Sequence, residues 1–441
     1  MVSPWATGLQ VPPPWASTQD PWGLGLIAVL VLKEIPFLLW AAMAHLQRAD
    51  IAQRLQRELL LCQTMGYSTK QAWWRVGWPQ LLPNLYGPLI AVLAYGLTVV
   101  DVALVIGPTN PPTLAVLAWH WLQDADAATN TQGVAAAWVL AAVVIVAACV
   151  GWAGMRLPLW RTHWTRGLPA KPRPAIPIKY RVNGHRTRWP SALLALLLLA
   201  YAAVLMALAL GSVIGSWPFP LLMPEDLTWE AWKAVAASSA TVSTTVWIGL
   251  TSSATALVMA VALLELAPKR WAAPMQAVLY VPLVLPAVLW TIGLHRLALA
   301  WNIDATGWGL WLAHALSNLP YVVLALQGPY TGFDARMAQV ASSLGRTRSA
   351  FLLQVKWPLL RAALTASFAV GFAVSVAQYL PTLYVGAGRF NTVTTEAVQL
   401  AAGGQRSLTA AYAWLQWALP VLVFGVAAWL GRARRFGTLN R

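Results

Sequence analysis

Charge is scarce in this chain. Only 10% of its 441 residues are Asp, Glu, Lys or Arg, while 59% are hydrophobic and the mean hydropathy is +0.59. About a quarter of an ordinary soluble domain is charged, so a water-soluble fold of this size would lack the polar atoms to cover its surface. Cysteine is nearly absent: Cys62, expected in a loop, and Cys149, expected inside a hydrophobic span, supply no disulfide framework. The six histidines (His45, His120, His163, His185, His295, His314) lie far apart and show no metal-ligand spacing, so neither a metal nor a cofactor is expected. No Gly-Lys dipeptide occurs anywhere. That excludes the G-x-x-x-x-G-K-[ST] loop that cradles nucleotide phosphates, and the chain is not expected to be an enzyme.

Long uncharged runs are present instead. They include Gly133 to Gly154, Ser191 to Gly215, Ala234 to Leu264, Ala362 to Gly388 and Ala410 to Leu430. Each reaches the roughly 20 residues that a helix needs to cross the hydrocarbon layer. Backbone in lipid must satisfy its own hydrogen bonds, so these runs are expected to be helices. The fold class is therefore all-α, a polytopic transmembrane bundle of about nine spans.

A net charge of +16 would suggest nucleic acid in a soluble protein. Its distribution points elsewhere. Of 30 Lys and Arg, 25 fall in five segments between or after the hydrophobic runs: Arg48 to Arg75, Arg156 to Arg188, Lys269-Arg270, Arg336 to Arg361 and Arg432 to Arg441. Short cytoplasmic loops collect positive charge, which places all five inside the cell and makes the lipid bilayer, not nucleic acid, the partner. The organisation expected is an extracytoplasmic segment 1–22, a first half 23–155 with three spans and a loop 46–83, a basic Pro-rich linker 156–190, a second half 191–431 with six spans and a loop 327–361, and a cytoplasmic tail 432–441. Residues 2–19 are Pro-rich without a basic n-region, so they are not a secretory signal.

An internal repeat carries most of the information. The 14 residues from Gly66 to Pro79 align without gaps to Gly345 to Pro358, with Gly, Val (Val76, Val355), Trp (Trp78, Trp357) and Pro identical. Gly25 stands 11 residues before Pro36, and Gly309 stands 11 before Pro320; the spans after each motif end at Gly107 and Gly386, each 41 residues past the motif Gly. Glycine supplies a left-handed helix cap, and proline suits the first turn of the next helix. Each copy thus predicts a helix, a Gly turn and a second helix, with Trp73 and Val76, or Phe351 and Val355, forming an apolar face.

Both copies resemble the EAA loop of ABC-importer permeases, in which Glu-Ala-Ala is followed by three residues, a Gly, and a Pro 13 positions later. Both Gly and both Pro are kept here, whereas Leu60-Leu61-Cys62 and Gln339-Val340-Ala341 replace the Glu-Ala-Ala. A chain with two such loops is similar to the fused permeases of the thiamine and ferric-iron importer group. The resemblance implies a type I ABC-importer permease fold in a bacterial inner membrane, two separate ABC ATPase subunits gripped through Cys62, Gly66, Trp73, Val76, Pro79, Ala341, Gly345, Phe351, Val355 and Pro358, and a periplasmic solute-binding protein that delivers a small-molecule or ion substrate. Set on this plan, the first half lacks counterparts of the spans from Ser191 to Ala300, so it is expected to be incomplete.

Polar groups inside spans are costly and often functional. Lys33 and Glu34 in the first span, with Ser317 and Asn318 at the equivalent place in the second half, are candidates for the translocation path; Asp101 and the pair Gln378 and Tyr379 end corresponding spans and join them. Two other readings compete: an ion-coupled secondary transporter, which also uses repeats and midplane charges, and a polytopic membrane transferase. The second needs catalytic groups in sizeable outward loops, and the acidic loop near Glu225 is short.

Overall fold

The computed structural model describes residues 19–46, 49–157, 188–217, 221 and 224–432. Most of the expected N-terminal segment 1–22, linker 156–190 and tail 432–441 lies outside the described residues. The described chain is helical, with isolated β-bridges at Thr109–Pro112 and Ile214–Leu227. It forms two compact units, one within Ala16–Ala203 and Val284–Pro286, the other within Val204–Leu283 and Ala287–Arg441.

In the first unit, α1 (Leu24–Leu46) is followed by α2 (Ala49–Thr64), α3 (Thr69–Ala72), a π-helical turn (Trp73–Gly77), α4 (Trp78–Thr98), α5 (Asp101–Ile106), α6 (Leu114–Leu122) and α7 (Ala127–Arg156). Asp20 caps α1, its carboxylate accepting from the N–H groups of Leu24 (2.7 Å) and Gly25 (3.1 Å). Helix α1 packs on α4, and α6 packs on α7. Helix α8 (Arg188–Gly211) begins in this unit, where Tyr201 donates its hydroxyl to the Leu32 carbonyl of α1.

The second unit continues with α9 (Glu230–Ala237), α10 (Ser239–Leu266), α11 (Ala272–Val284), α12 (Ala287–Ala300), α13 (Gly307–Thr331), α14 (Ala335–Ser343), α15 (Arg348–Phe351), a π-helical turn (Leu352–Lys356), α16 (Trp357–Leu359), α17 (Arg361–Val376), α18 (Leu380–Gly386), α19 (Val393–Ala402) and α20 (Arg406–Gly431). Helices α10, α13 and α17 pack on one another, and α20 packs on α17. Small residues permit this approach, as is usual for helices in lipid. A Cβ on Gly249 of α10 would stand 2.6 Å from the Phe372 ring, and one on Gly371 of α17 would stand 2.8 Å from Val322 of α13. Ala256, Ala260, Leu319, Val322, Val323, Leu326 and Tyr330 form the apolar core there.

The expectation of an all-α polytopic bundle is met, but the number of spans differs. Among the described residues seven helices are long and apolar enough to cross a membrane, or eight if Arg348–Leu359 and Arg361–Val376, bent by 75°, count as one span. The span expected between 277 and 300 is two helices, because Pro286 lacks an N–H and pushes Leu285 out of helical conformation. Neither piece has the length to cross alone. The expected spans 85–107 and 363–385 are also interrupted, between Thr98 and Asp101 and between Val376 and Leu380.

These interruptions sit at matched places. From the elbow onward the two copies keep a constant offset of 279 positions (345 less 66). It relates the last residues of α2 and α14, Thr64 and Ser343, and the first residues of α3 and α15, Thr69 and Arg348. It also relates the two π turns and the starts of α7 and α20, Ala127 and Arg406. The repeat inferred from 14 residues therefore extends across a much longer run of chain.

Candidate coupling elbows and a buried polar chain

The Gly turns have one geometry in both copies. Gly66 has φ +89° and Gly345 has φ +71°, a region that side chains with a Cβ rarely adopt. The residue after each Gly donates its N–H backwards across the turn, Tyr67 to the Cys62 carbonyl at 3.1 Å and Arg346 to the Ala341 carbonyl at 3.0 Å. This is the Schellman closure, and it fixes the distance between the third position of the EAA-like triplet and the glycine. The second helix of each elbow starts on a hydroxyl cap: Ser68 Oγ accepts from the Gln71 N–H at 3.3 Å, and Thr347 Oγ1 from the Ala350 N–H at 3.3 Å. Each short helix then widens into a π turn just before Trp78-Pro79 or Trp357-Pro358. Proline cannot donate to the carbonyl four residues back, and the wider turn accommodates that missing bond.

The apolar stripe predicted to face outward lies partly inward. Phe351 is buried edge-on against Phe333, Ala341 is buried, and Cys62, Trp73, Val76, Pro79 and Val355 are half-buried; Gly66, Gly345 and Pro358 are exposed. What each elbow exposes is a different trio, Leu61, Met65 and Trp74 in the first and Val340, Leu344 and Leu353 in the second. These are matched positions, and the two central side chains are 71% and 73% exposed. The sequence carried the signal as three apolar residues at one offset, which the emphasis on Trp73 and Phe351 passed over.

The polar candidates divide into two groups. In the first unit Lys33 donates to the Tyr95 hydroxyl and stands 3.8 Å from the centre of that ring. Glu34 and Asp101 are both close enough to act on its charge, and Asp101 is the first residue of α5, at the interruption after α4.

In the second unit Ser317 and Asn318 are closed inside the bundle, with His314, Ser252, Ser375 and Thr382 beside them. Ser317 accepts from Trp290 Nε1 at 3.1 Å. The rest form a chain whose direction follows from its two ends. Asn318 Nδ2 donates to Ser252 Oγ at 3.0 Å, and Thr382 Oγ1 donates to the Gln378 carbonyl at 3.0 Å. Thr382 has then spent its proton and accepts from His314 Nε2 at 2.9 Å, which leaves His314 Nδ1 to accept from Ser375 Oγ at 2.8 Å. Ser252 donates to Ser375 at 3.2 Å and completes the line. A neutral imidazole protonated on Nε2 satisfies every link. The chain joins α10, α13 and α17 to the interruption at 377–379, where Tyr379 is buried and its carbonyl accepts from Leu383. His314 had been weighed from sequence only as a metal ligand. Its spacing of four from Asn318, which puts both on one helix face, was the available clue.

No family model matches the chain. It is 32% identical over 430 residues to the inner membrane ABC transporter permease protein YnjC of Escherichia coli K12, covering 96% of this chain and 76% of that one. The chain belongs to the inner-membrane ABC transporter permeases. Shorter similarity links this permease to PotC of the spermidine/putrescine transport system. It is 27% identical over 107 residues to the Haemophilus influenzae protein, covering 24% of the permease and 42% of PotC. The E. coli K12 PotC is 28% identical over the same length. The permease is thus a multi-pass inner-membrane transporter subunit, not an enzyme, and the secondary-transporter and transferase readings are set aside. None of these relatives is named for thiamine or iron, so that narrower grouping gains no support.

Proposed function

We propose that this permease is the membrane subunit of an importer, in which two ABC ATPase subunits each grip one elbow on the cytoplasmic side and a periplasmic binding protein delivers a small solute. The observation that carries this reading is the duplicated trio of exposed apolar side chains, Leu61, Met65 and Trp74 against Val340, Leu344 and Leu353. Leu61, Met65, Val340 and Leu344 lie outside the apolar spans, where exposed apolar groups mark a protein contact better than lipid, and Trp74 and Leu353 lie in the N-terminal part of theirs. Two knuckles with matched exposed trios suit two copies of one partner. Lys33, Glu34 and Asp101 line the path in the first unit, while Ser317, Asn318, Gln378 and Tyr379 hold the interrupted helix in the second.

The test is co-purification of an ABC ATPase with the permease from its native membrane. The intact chain brings the ATPase down, and Leu344→Glu together with Met65→Glu releases it without lowering the amount of permease in the membrane. Full retention by that double variant rejects the elbows as the grip.

A further inference from the structure

Three groups converge on one carboxylate that plays no part in the features above. Glu265 is the penultimate residue of α10. Its Oε2 accepts from Lys356 Nζ at 2.7 Å and from the Tyr330 hydroxyl at 2.9 Å; its Oε1 accepts from Arg348 Nη2 at 2.9 Å, and the same guanidinium nitrogen reaches the Glu265 carbonyl at 2.9 Å. Arg348 opens the second helix of the second elbow, and Lys356 closes its π turn. Tyr330 is the penultimate residue of α13. Lys356 also stands 3.9 Å from the centre of the Tyr330 ring, and Trp357 Nε1 donates to the Tyr330 hydroxyl at 3.4 Å. The side chains of Glu265 and Lys356 are only 15% and 13% exposed, so water competes little for either.

We propose that Glu265 is a positioning residue that fastens the second elbow to the ends of α10 and α13, so that displacement of the elbow moves those two spans as well as the helix that follows it. This rests on the elbow being an ATPase grip. Apolar packing around Tyr330 is non-directional and lets helices slide; a carboxylate held by two cations and a phenol from different elements fixes distance and angle together. The device belongs to one copy. At the positions matching Arg348 and Lys356 the first elbow has Thr69 and Gly77, which carry no charge. The first elbow has instead an internal tie, Glu58 of α2 accepting from Arg54 of the same helix at 2.8 Å and from Gln80 of α4. The two elbows are therefore unequal levers, and the second is the one that drives α10 and α13.

The experiment uses the permease–ATPase complex in lipid nanodiscs, with Cys149→Ser, with Cys62 kept because it belongs to the first elbow, and with a reporter Ser239→Cys at the opposite end of α10; labelling of the same protein without the reporter is subtracted. That end is about 40 Å from Glu265 at a rise of ~1.5 Å per residue. The rate at which a water-soluble maleimide labels the reporter is read without nucleotide and with ATP and vanadate. With Glu265 intact, nucleotide changes the rate several-fold. Glu265→Gln retains the ATPase and its turnover but loses more than half of that change, Lys356→Met does the same from the other partner, and Glu265→Asp keeps most of it. An undiminished nucleotide effect in both Glu265→Gln and Lys356→Met overturns the proposal. So does loss of the ATPase from those variants, which would make Glu265 a support of the docking face alone. Failure of the intact permease to retain any ATPase refutes instead the grip on which the proposal stands.

Discussion

Replacing His314 with Phe keeps the volume of the ring and removes both of its hydrogen bonds, so it isolates the chain from packing. Ser375 Oγ loses its acceptor and Thr382 Oγ1 loses its donor, each in a fully enclosed site. In a soluble core each such loss costs about 1–3 kcal/mol, whereas hydrogen bonds between spans average nearer ~0.6 kcal/mol because polar groups in lipid find other partners. Ser375 and Thr382 have little freedom to do so, since helices α10, α13 and α17 close round them. About 2 kcal/mol in total is the expected cost, which corresponds to a fall of about 4–8 °C in unfolding midpoint for a unit of this size. Intrinsic fluorescence of the tryptophans in detergent reports it. The decisive comparison is a cycle with Ser375→Ala. If the hydroxyls and the imidazole act as one line, the second substitution costs much less in the Phe background than in the native one. Independent, additive costs would refute the chain.

Gly345→Ala, at φ +71°, forces a side chain into left-handed backbone at a cost of about 1–2 kcal/mol; loosening of the turn is expected to reduce retained ATPase, measured by pull-down, with Gly66→Ala acting the same way. Gly371→Ala drives a methyl towards Val322 and Ser253, and overpacking of about 1–3 kcal/mol should appear as a lower thermal midpoint. The Glu58 carboxyl is held below its usual range by hydrogen bonds from Arg54 and Gln80. A depressed carboxylate stabilises the folded chain above the ordinary Glu value, and that contribution fades as pH falls through the lowered one. Acid titration followed by proteolysis of the first elbow should therefore show loss of protection below about pH 4.3, and Glu58→Gln should abolish that dependence.

The class of fold was readable because lipid leaves the backbone few options, and long uncharged runs such as Ala234 to Leu264 became helices without competition. The elbows were readable because a positive-φ residue and a missing N–H are properties of single amino acids, Gly345 and Pro358. Interruptions were harder to see. Val99-Val100 carries no breaker, and Pro381 falls in the first turn of α18, so an uncharged run read as continuous where the backbone in fact opens. The chain from Asn318 to Gln378 depends on residues 252, 314, 318, 375 and 382 meeting in space, which no local pattern announces. Glu265 carried no local signal for the same reason.

The two matched interruptions are held by different chemistry, and that difference can be measured. After α17 the break is tied by a neutral, directed line of hydroxyls and an imidazole; after α4 it ends at Asp101, the first residue of α5, which together with Glu34 acts on the charge of Lys33. Lys33 is the one positive group of that trio. Removing it with Lys33→Met leaves two carboxylates unmatched in or beside a span, each carrying an insertion cost of about 2.5–3.5 kcal/mol. Asp101→Asn leaves one cation against one carboxylate and should be the milder change by at least tenfold in folded yield, since ~1.4 kcal/mol already gives that ratio. Adding Asp101→Asn to Lys33→Met removes one of the stranded charges and should recover part of the loss. Yield of detergent-soluble, monodisperse permease ranks the variants. Equal yields for the two single changes, or a double variant poorer than Lys33→Met alone, would mean that Lys33 and Asp101 are not coupled.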